Sequence, residues 1–286
     1  MESTQQQQQQ QKQPSPPMTT FVLVHGMFAD AAFWQPVVDR LLTFGHTCVV
    51  PPLPRRRNND GNLATFADWM DAAEAALTTA LGSAAPEDVV VVGHSLGTVV
   101  ARKLLHEGKC QRAVLINASP GFGELAPVWQ FRFLLWRGRF WNEEVHLTRE
   151  QAKELLFQGM QTEEQVDVEY GRIVPESGHV LSSAFWGLDM LKQSTRVPAP
   201  APGHPGRYAC LGGALDPIHH GPFMAPLLKG AEKVVVLPDA GHFMPREKPT
   251  ETADFLQAFA LNSLPPYELW VAYGGPINLK TWKWII

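Results

Sequence analysis

Cysteine is scarce in this 286-residue chain, which holds only Cys48, Cys110 and Cys210 and no C-x-x-C pair. A disulfide-stapled scaffold is therefore excluded, and so is a thiolate metal or redox site of the paired kind. Cys48 and Cys210 fall inside apolar runs, where a thiol acts as a small buried hydrophobe in a reducing compartment. A marked excess of charge of one sign is also missing. Lys and Arg number 24 against 28 Asp and Glu, a formal charge of -4, which leaves nucleic acid and anionic membrane without the basic surface they would need. No apolar run reaches the ~18 residues of a membrane-spanning helix, so stable membrane insertion is not expected. The N-terminus is polar where a secretory leader would carry an apolar core, and the expectation is a cytoplasmic protein. His219 and His220 are adjacent but lack the further ligands of a metal site. Neither a metal nor any other cofactor is expected.

What the chain does have is a 45% hydrophobic content, enough for a sizeable core, arranged in alternating runs. Residues 1–17, "MESTQQQQQQQKQPSPP", are a polar, Gln-rich leader with nothing to bury and are expected to be disordered. The folded domain is expected over 18–264. Within it "TFVLVH", "HTCVVP", "DVVVVG", "RAVLIN", "RYACLG" and "KVVVLP" read as strands, most of them followed by amphipathic stretches such as 32–44, 63–82 and 95–107. Nearly continuous Val, Leu and Ile with helices between predict an α/β fold, a mostly parallel central sheet flanked by helices on both faces. The alternation fails over about 121–196. That length is too great for a plain connection, so it predicts a mostly helical cap, with helices near 148–160 and 180–193, inserted before the penultimate strand. A Pro-rich linker, "VPAPAPGHPG", closes it. The cap's aromatics either pack its helices or line an apolar substrate pocket. Residues 265–286 form an aromatic extension with Trp270, Trp282 and Trp284; docking on the domain, dimer contact and absence of function stay open.

Chemistry concentrates at "VVVVGHSLGTVVARKLL". A serine hydroxyl is a weak nucleophile at neutral pH and needs a base, a group to orient that base, and donors for the oxyanion formed on attack. A strand, then Gly93-His94-Ser95-Leu96-Gly97, then a helix makes a sharp turn that raises the Ser95 hydroxyl above the sheet, with glycines where backbones must approach. The other parts follow in the required chain order of acid, then histidine. Of the ten histidines, His242 alone stands directly after a strong strand and downstream of both Ser95 and a suitable acid; its neutral imidazole is the candidate general base. Asp216, in the loop after the preceding strand, is the candidate orienting carboxylate. Asp239 competes, but three residues from His242 it reads as a turn former. The backbone amides of Leu96 and Met27 are the candidate oxyanion donors. His25 reads as a loop anchor. Phe28, Trp129, Trp136 and Trp186 are the candidate pocket residues. Arg55, Arg56 and Arg57 read as a solvated loop, with steering of an acidic substrate or carrier protein as the sharper alternative.

Together "FVLVHGMFADAAFWQPVVDRL", "GHSLG", "GGALDPI" and "AGHFMPREKP" resemble the landmarks of the α/β-hydrolase superfamily, in its order and over residues 19 to about 261. The start almost directly at the HG strand is similar to the compact esterases related to plant methyl esterases and hydroxynitrile lyases. The resemblance implies Ser95, Asp216 and His242 as a triad, with Met27 and Leu96 as oxyanion donors. Thr98 departs from it, standing where many members have glycine, and "RRRNNDGN" replaces a frequent Gly-rich turn. Serine at the elbow argues against the haloalkane dehalogenase and epoxide hydrolase branches. The expected function is hydrolysis of an ester or thioester of a largely apolar small molecule through an acyl enzyme. A lyase, cyclase or C-C hydrolase using the same residues, or a non-catalytic ligand-binding protein, are the rival readings. A small-molecule substrate is the expected partner, with a homodimer or carrier-protein contact left open.

Overall fold

In the computed structural model, residues 18–57, 60–120, 142–185, 195–199, 203, 206–218, 230–264 and 270–271 are described. In chain order the strands are β1 (Thr20–Val24), β2 (Thr47–Val49), β3 (Val89–His94), β4 (Arg112–Ile116), β5 (Glu144–Val145), β6 (Glu176–Ser177), β7 (Arg207–Gly213), β8 (Lys233–Leu237) and β9 (Trp270–Val271). Seven of them form one sheet in the order β2-β1-β3-β4-β7-β8-β9, with every neighbouring pair parallel. Burial follows that order. Every residue of β1, β3 and β4 is buried, whereas β2, β7 and β8 are only partly so. A central strand covered on both faces has no solvent side on which to place polar residues, which is why these runs do not alternate.

The helices are α1 (Gln35–Thr43), α2 (Phe66–Leu81), α3 (Gly97–His106), α4 (Arg149–Leu155), α5 (Glu163–Tyr170), α6 (Gly178–Phe185), α7 (Met244–Glu247) and α8 (Pro249–Ala260). α3 packs on β3 and β4, α2 on β1, and α1 on α8. The N-termini of α2, α4 and α5 carry reciprocal capping boxes, Thr65 with Asp68, Thr148 with Gln151 and Thr162 with Gln165, each satisfying amides that the first helical turn leaves without partners. None of the helices among the described residues is long and apolar enough to cross a membrane. Cys48, Cys110 and Cys210 are free thiols.

The parallel sheet and its flanking helices bear out the fold read from the sequence, with differences in detail. The helix expected near 148–160 stops at Leu155. Beyond it Gly159 packs tightly on the loop before α7, where a Cβ would lie 2.7 Å from the Gly241 nitrogen. Between β4 and β7 the chain also contributes the antiparallel pair β5–β6, Glu144 opposite Ser177 and Val145 opposite Glu176. Arg246 fastens this part of the chain to α7 through a two-pronged bond to Glu169, at 2.9 and 2.7 Å. From the C-terminal extension, Trp270 and Val271 pair with Val235 and Val236 as an edge strand, which is the docked alternative for these two residues. The leader, residues 121–141 and 186–194, and Trp282 and Trp284 lie outside the described residues.

Candidate active site

Ser95 joins β3 to α3 with φ at +51°, in the left-handed region that costs a non-glycine residue about 1–3 kcal/mol and persists only where the surroundings impose it. Here they do. Ser95 N–H donates to the Ile116 carbonyl at 3.0 Å, and the Ser95 carbonyl accepts from Thr98 N–H at 2.9 Å and from the Thr98 hydroxyl at 2.6 Å. Thr98, the departure from the family pattern, is fully buried and also accepts the Ser119 amide at 2.8 Å, so its hydroxyl braces the elbow. The glycines are forced by close approach. A Cβ on Gly93 would sit 2.6 Å from the Thr98 Cα, one on Gly97 2.6 Å from the His25 carbonyl oxygen, and one on Gly26 2.6 Å from the Ser95 Cβ.

His242 and Asp216 meet Ser95 from the loops after β8 and β7. His242 Nε2 is 3.0 Å from Ser95 Oγ, and Nδ1 is 2.9 Å from Asp216 Oδ2. All three residues are buried. The second oxygen of Asp216, Oδ1, accepts the Ile218 amide at 2.8 Å, which fixes the carboxylate plane. A proton on Nδ1 held by Oδ2 leaves the Nε2 lone pair facing the serine hydroxyl. Asp239 points elsewhere: it is exposed and paired with Lys248. His25 is buried edge-on to Trp69 and donates through Nδ1 to the Gly26 carbonyl at 2.8 Å; burial lowers its pKa to about 4. It is a neutral loop anchor.

Two further residues hold the His242 loop, and the sequence reading passed over both. His94 donates from Nε2 to the His242 carbonyl at 2.7 Å. Asn117, at the end of β4 with φ at +45°, donates from Nδ2 to the Gly241 and His242 carbonyls at 2.8 and 2.9 Å, while its Oδ1 accepts the Gly213 amide at 2.8 Å. One buried side chain thereby joins the loops that carry the acid and the histidine. The signal was a polar residue ending the apolar run "RAVLIN", of a type that tolerates positive φ.

Two carboxyl groups, Glu247 half-buried and Glu176 buried, bond backbone amides near these residues. Glu247 accepts the Gly241 amide at 2.5 Å and the Gly159 amide at 3.3 Å, and burial pushes its carboxyl up to about 7. Glu176, also raised to about 7 by burial, accepts the Phe28 amide at 3.2 Å and the Ser177 amide at 2.7 Å. A carboxyl of pKa about 7 when folded and about 4.5 when unfolded binds more protons in the native state between those values. Stability from Glu247 is therefore fully present below pH 4.5 and is lost by pH 7. His25 acts in the opposite sense between about 4 and 6.5. Comparing wild type with Glu247→Gln in urea at a series of pH values separates the two: the stability of wild type relative to the variant should fall from pH 4.5 to 7 and then level off.

Met27 and Leu96, the candidate oxyanion donors, flank Ser95 as buried residues, Met27 beside the close contact of Gly26 and Leu96 at the N-terminus of α3. Phe28 is buried with φ at +61°. It borders a cavity of about 600 Å³ shared with Phe33, Ile173, Val174, Phe243 and Arg246, whose lining does not include Ser95. Phe33 packs on His94 and Phe243 at 4.7 and 5.0 Å between ring centres. The other candidate pocket residues, Trp129, Trp136 and Trp186, lie outside the described residues, as do His219 and His220. Arg55 and Arg56 are exposed and Arg57 half-buried, and Arg56 pairs with Glu144 at 3.0 Å.

A family model described as alpha/beta hydrolase family matches residues 21–255, from β1 into α8. The chain belongs to that family. The resemblance read from its motifs is thereby borne out. Solved structures of similar fold include an extracellular alpha/beta-hydrolase from a Paenibacillus species, at 21% identity over 85% of this chain and 99% of that one, with a TM-score of 0.63. A thermophilic esterase from Thermogutta terrifontis matches at 19% identity over 87% and 92%, with a TM-score of 0.65. A methylesterase from Arabidopsis matches at 19% identity over 86% and 100%, with a TM-score of 0.61. No curated protein matches the chain. At these identities the hydrolase structures establish shared architecture, and chemistry must be argued from the site.

Proposed function

We propose that this alpha/beta hydrolase cleaves an ester or thioester of a largely apolar small molecule through a serine acyl enzyme. The observation that carries the reading is the unbroken chain from Asp216 Oδ2 to His242 Nδ1 at 2.9 Å and from His242 Nε2 to Ser95 Oγ at 3.0 Å. Ser95 Oγ attacks the carbonyl carbon as His242 Nε2 takes its proton, and the carbonyl electron pair moves onto oxygen, which the Leu96 and Met27 amides stabilise. Collapse expels the alcohol or thiol, protonated by His242. Water then attacks the acyl enzyme by the same route in reverse, releasing the acid. Asp216 keeps the imidazole in the tautomer that accepts from serine.

Support for an apolar acyl or leaving group comes from the aromatic surroundings of the histidine loop, Phe33, Phe157 and Phe243, and support for ester chemistry from neighbours described as an esterase and a methylesterase. The free thiols favour a cytoplasmic setting. The test is an alkyl fluorophosphonate, followed by intact mass and peptide mapping. A single adduct on Ser95, absent in Ser95→Ala and slowed in His242→Ala by at least about 10³-fold, is the expected result. An unlabelled wild-type protein that is folded by near-ultraviolet circular dichroism would remove the nucleophile from the reading. Once a substrate is found, oxygen from ¹⁸O-labelled water should appear in the acid product, whereas a lyase or cyclase would incorporate none.

A further inference from the structure

Glu176 is a buried acid that the proposed mechanism does not use. Its carboxyl group is withdrawn from water, an arrangement that is unfavourable unless its oxygens are well bonded. Both are: Oε1 accepts the Ser177 amide at 2.7 Å and Oε2 reaches 148 residues back along the chain to the Phe28 amide at 3.2 Å. Phe28 directly follows Met27 and sits at φ +61°, a conformation that a bulky residue holds only when its surroundings dictate it. The surroundings are residues 174–176. Val174 N–H donates to the Phe28 carbonyl at 3.1 Å while Glu176 takes the Phe28 N–H, so both main-chain polar groups of the strained residue are bonded to that segment. The segment is itself anchored. Glu176 pairs with Val145 in the β5–β6 ladder, and the Ser177 hydroxyl donates to the Ala64 carbonyl at 2.5 Å.

We infer that Glu176 is a positioning residue: by holding the Phe28 amide it fixes the loop that presents the Met27 amide to the oxyanion, so that residues 174–176 complete the site. The inference rests on the serine hydrolase reading. An acceptor on each side is what the role requires. Glutamine keeps the volume of Glu176 but has one acceptor oxygen, and its amide group would turn a donor toward one of the two N–H groups. Aspartate keeps two acceptor oxygens and loses one methylene. An acceptor role therefore orders the enzymes wild type, then Glu176→Asp, then Glu176→Gln, whereas a role in packing alone reverses the two variants.

The measurement is the second-order rate of fluorophosphonate reaction at Ser95, a step in which Oγ bonds to phosphorus as His242 Nε2 takes its proton, fluoride leaves and the phosphoryl oxygen occupies the oxyanion position. Glu176→Gln should react about 10- to 100-fold more slowly, with kcat on an ester substrate falling in step and KM changing by less than about twofold. The α-hydroxy acid analogue of phenylalanine incorporated at position 28 replaces the amide N–H by an ester oxygen without touching Glu176. It should give a similar loss, and combining it with Glu176→Gln should add little. This second form carries the test if Glu176→Gln does not fold. Wild-type rates in either form, or Glu176→Gln outperforming Glu176→Asp, would overturn the inference while Ser95-dependent labelling of wild type left the hydrolase reading standing. No labelling of folded wild type would overturn both.

Discussion

Ser95→Ala is expected to lower kcat by about six orders of magnitude, to the residual rate that binding and the oxyanion donors give without a nucleophile. The size follows from how the site is built. In the proposed mechanism Ser95 Oγ forms the bond to the substrate carbon, while His242 takes the proton it loses and the Leu96 and Met27 amides meet the charge its attack creates. The variant should fold normally. Alanine retains the Cβ that packs 2.6 Å from the position a Gly26 Cβ would take, and the bonds that hold residue 95 at φ +51° run through its main chain to Ile116 and Thr98. Measured with an ester whose turnover by wild type is established, a kcat within tenfold of wild type would eliminate the acyl enzyme. It would favour proton transfer by His242 without a covalent step. Because nothing in the ground-state pocket changes, KM should move far less than kcat.

The parts of this site that sequence makes visible are those that require a rare residue at a fixed place. Gly93 and Gly97 can be read because two backbones pass where a side chain would otherwise stand, and an apolar strand ending in glycine is a local pattern. His242 and Asp216 can be read because chain order and the ends of β7 and β8 limit the candidates. The supporting residues give no such signal. Asn117 acts through three backbone groups on two loops, and those partners are nearly 100 residues or more away. His94 lies inside the elbow motif, where its neighbour draws the attention. Glu176 belongs to a two-residue strand, too short for any periodicity, and the close packing of Gly159 on Gly241, 82 positions later, is a contact that local propensity cannot register. What was legible is local or ordered along the chain; what was not is set by tertiary contact.

Asp216→Asn carries the second-largest expected effect, a loss of about 10⁴ in kcat. The reason lies in the other oxygen of the carboxylate. Asp216 Oδ1 accepts the Ile218 amide at 2.8 Å, a buried donor that asparagine can serve only with its own carbonyl oxygen. That choice turns the asparagine NH₂ toward His242 Nδ1, which must then accept instead of donate. The imidazole proton is displaced to Nε2, 3.0 Å from Ser95 Oγ, where a donor meets a hydroxyl that it can no longer deprotonate. Shape is preserved, so thermal stability and substrate KM should change little while kcat and the rate of fluorophosphonate labelling fall together. Asp239→Asn is the matched control, since that carboxylate is exposed and paired with Lys248; its kcat should stay within about twofold of wild type, as expected for loss of a surface ion pair. Equal losses in the two variants would mean that general electrostatics, and not the tautomer of His242, sets the rate. A loss in Asp216→Asn alone, with unchanged KM, ties the rate to the proton on Nδ1.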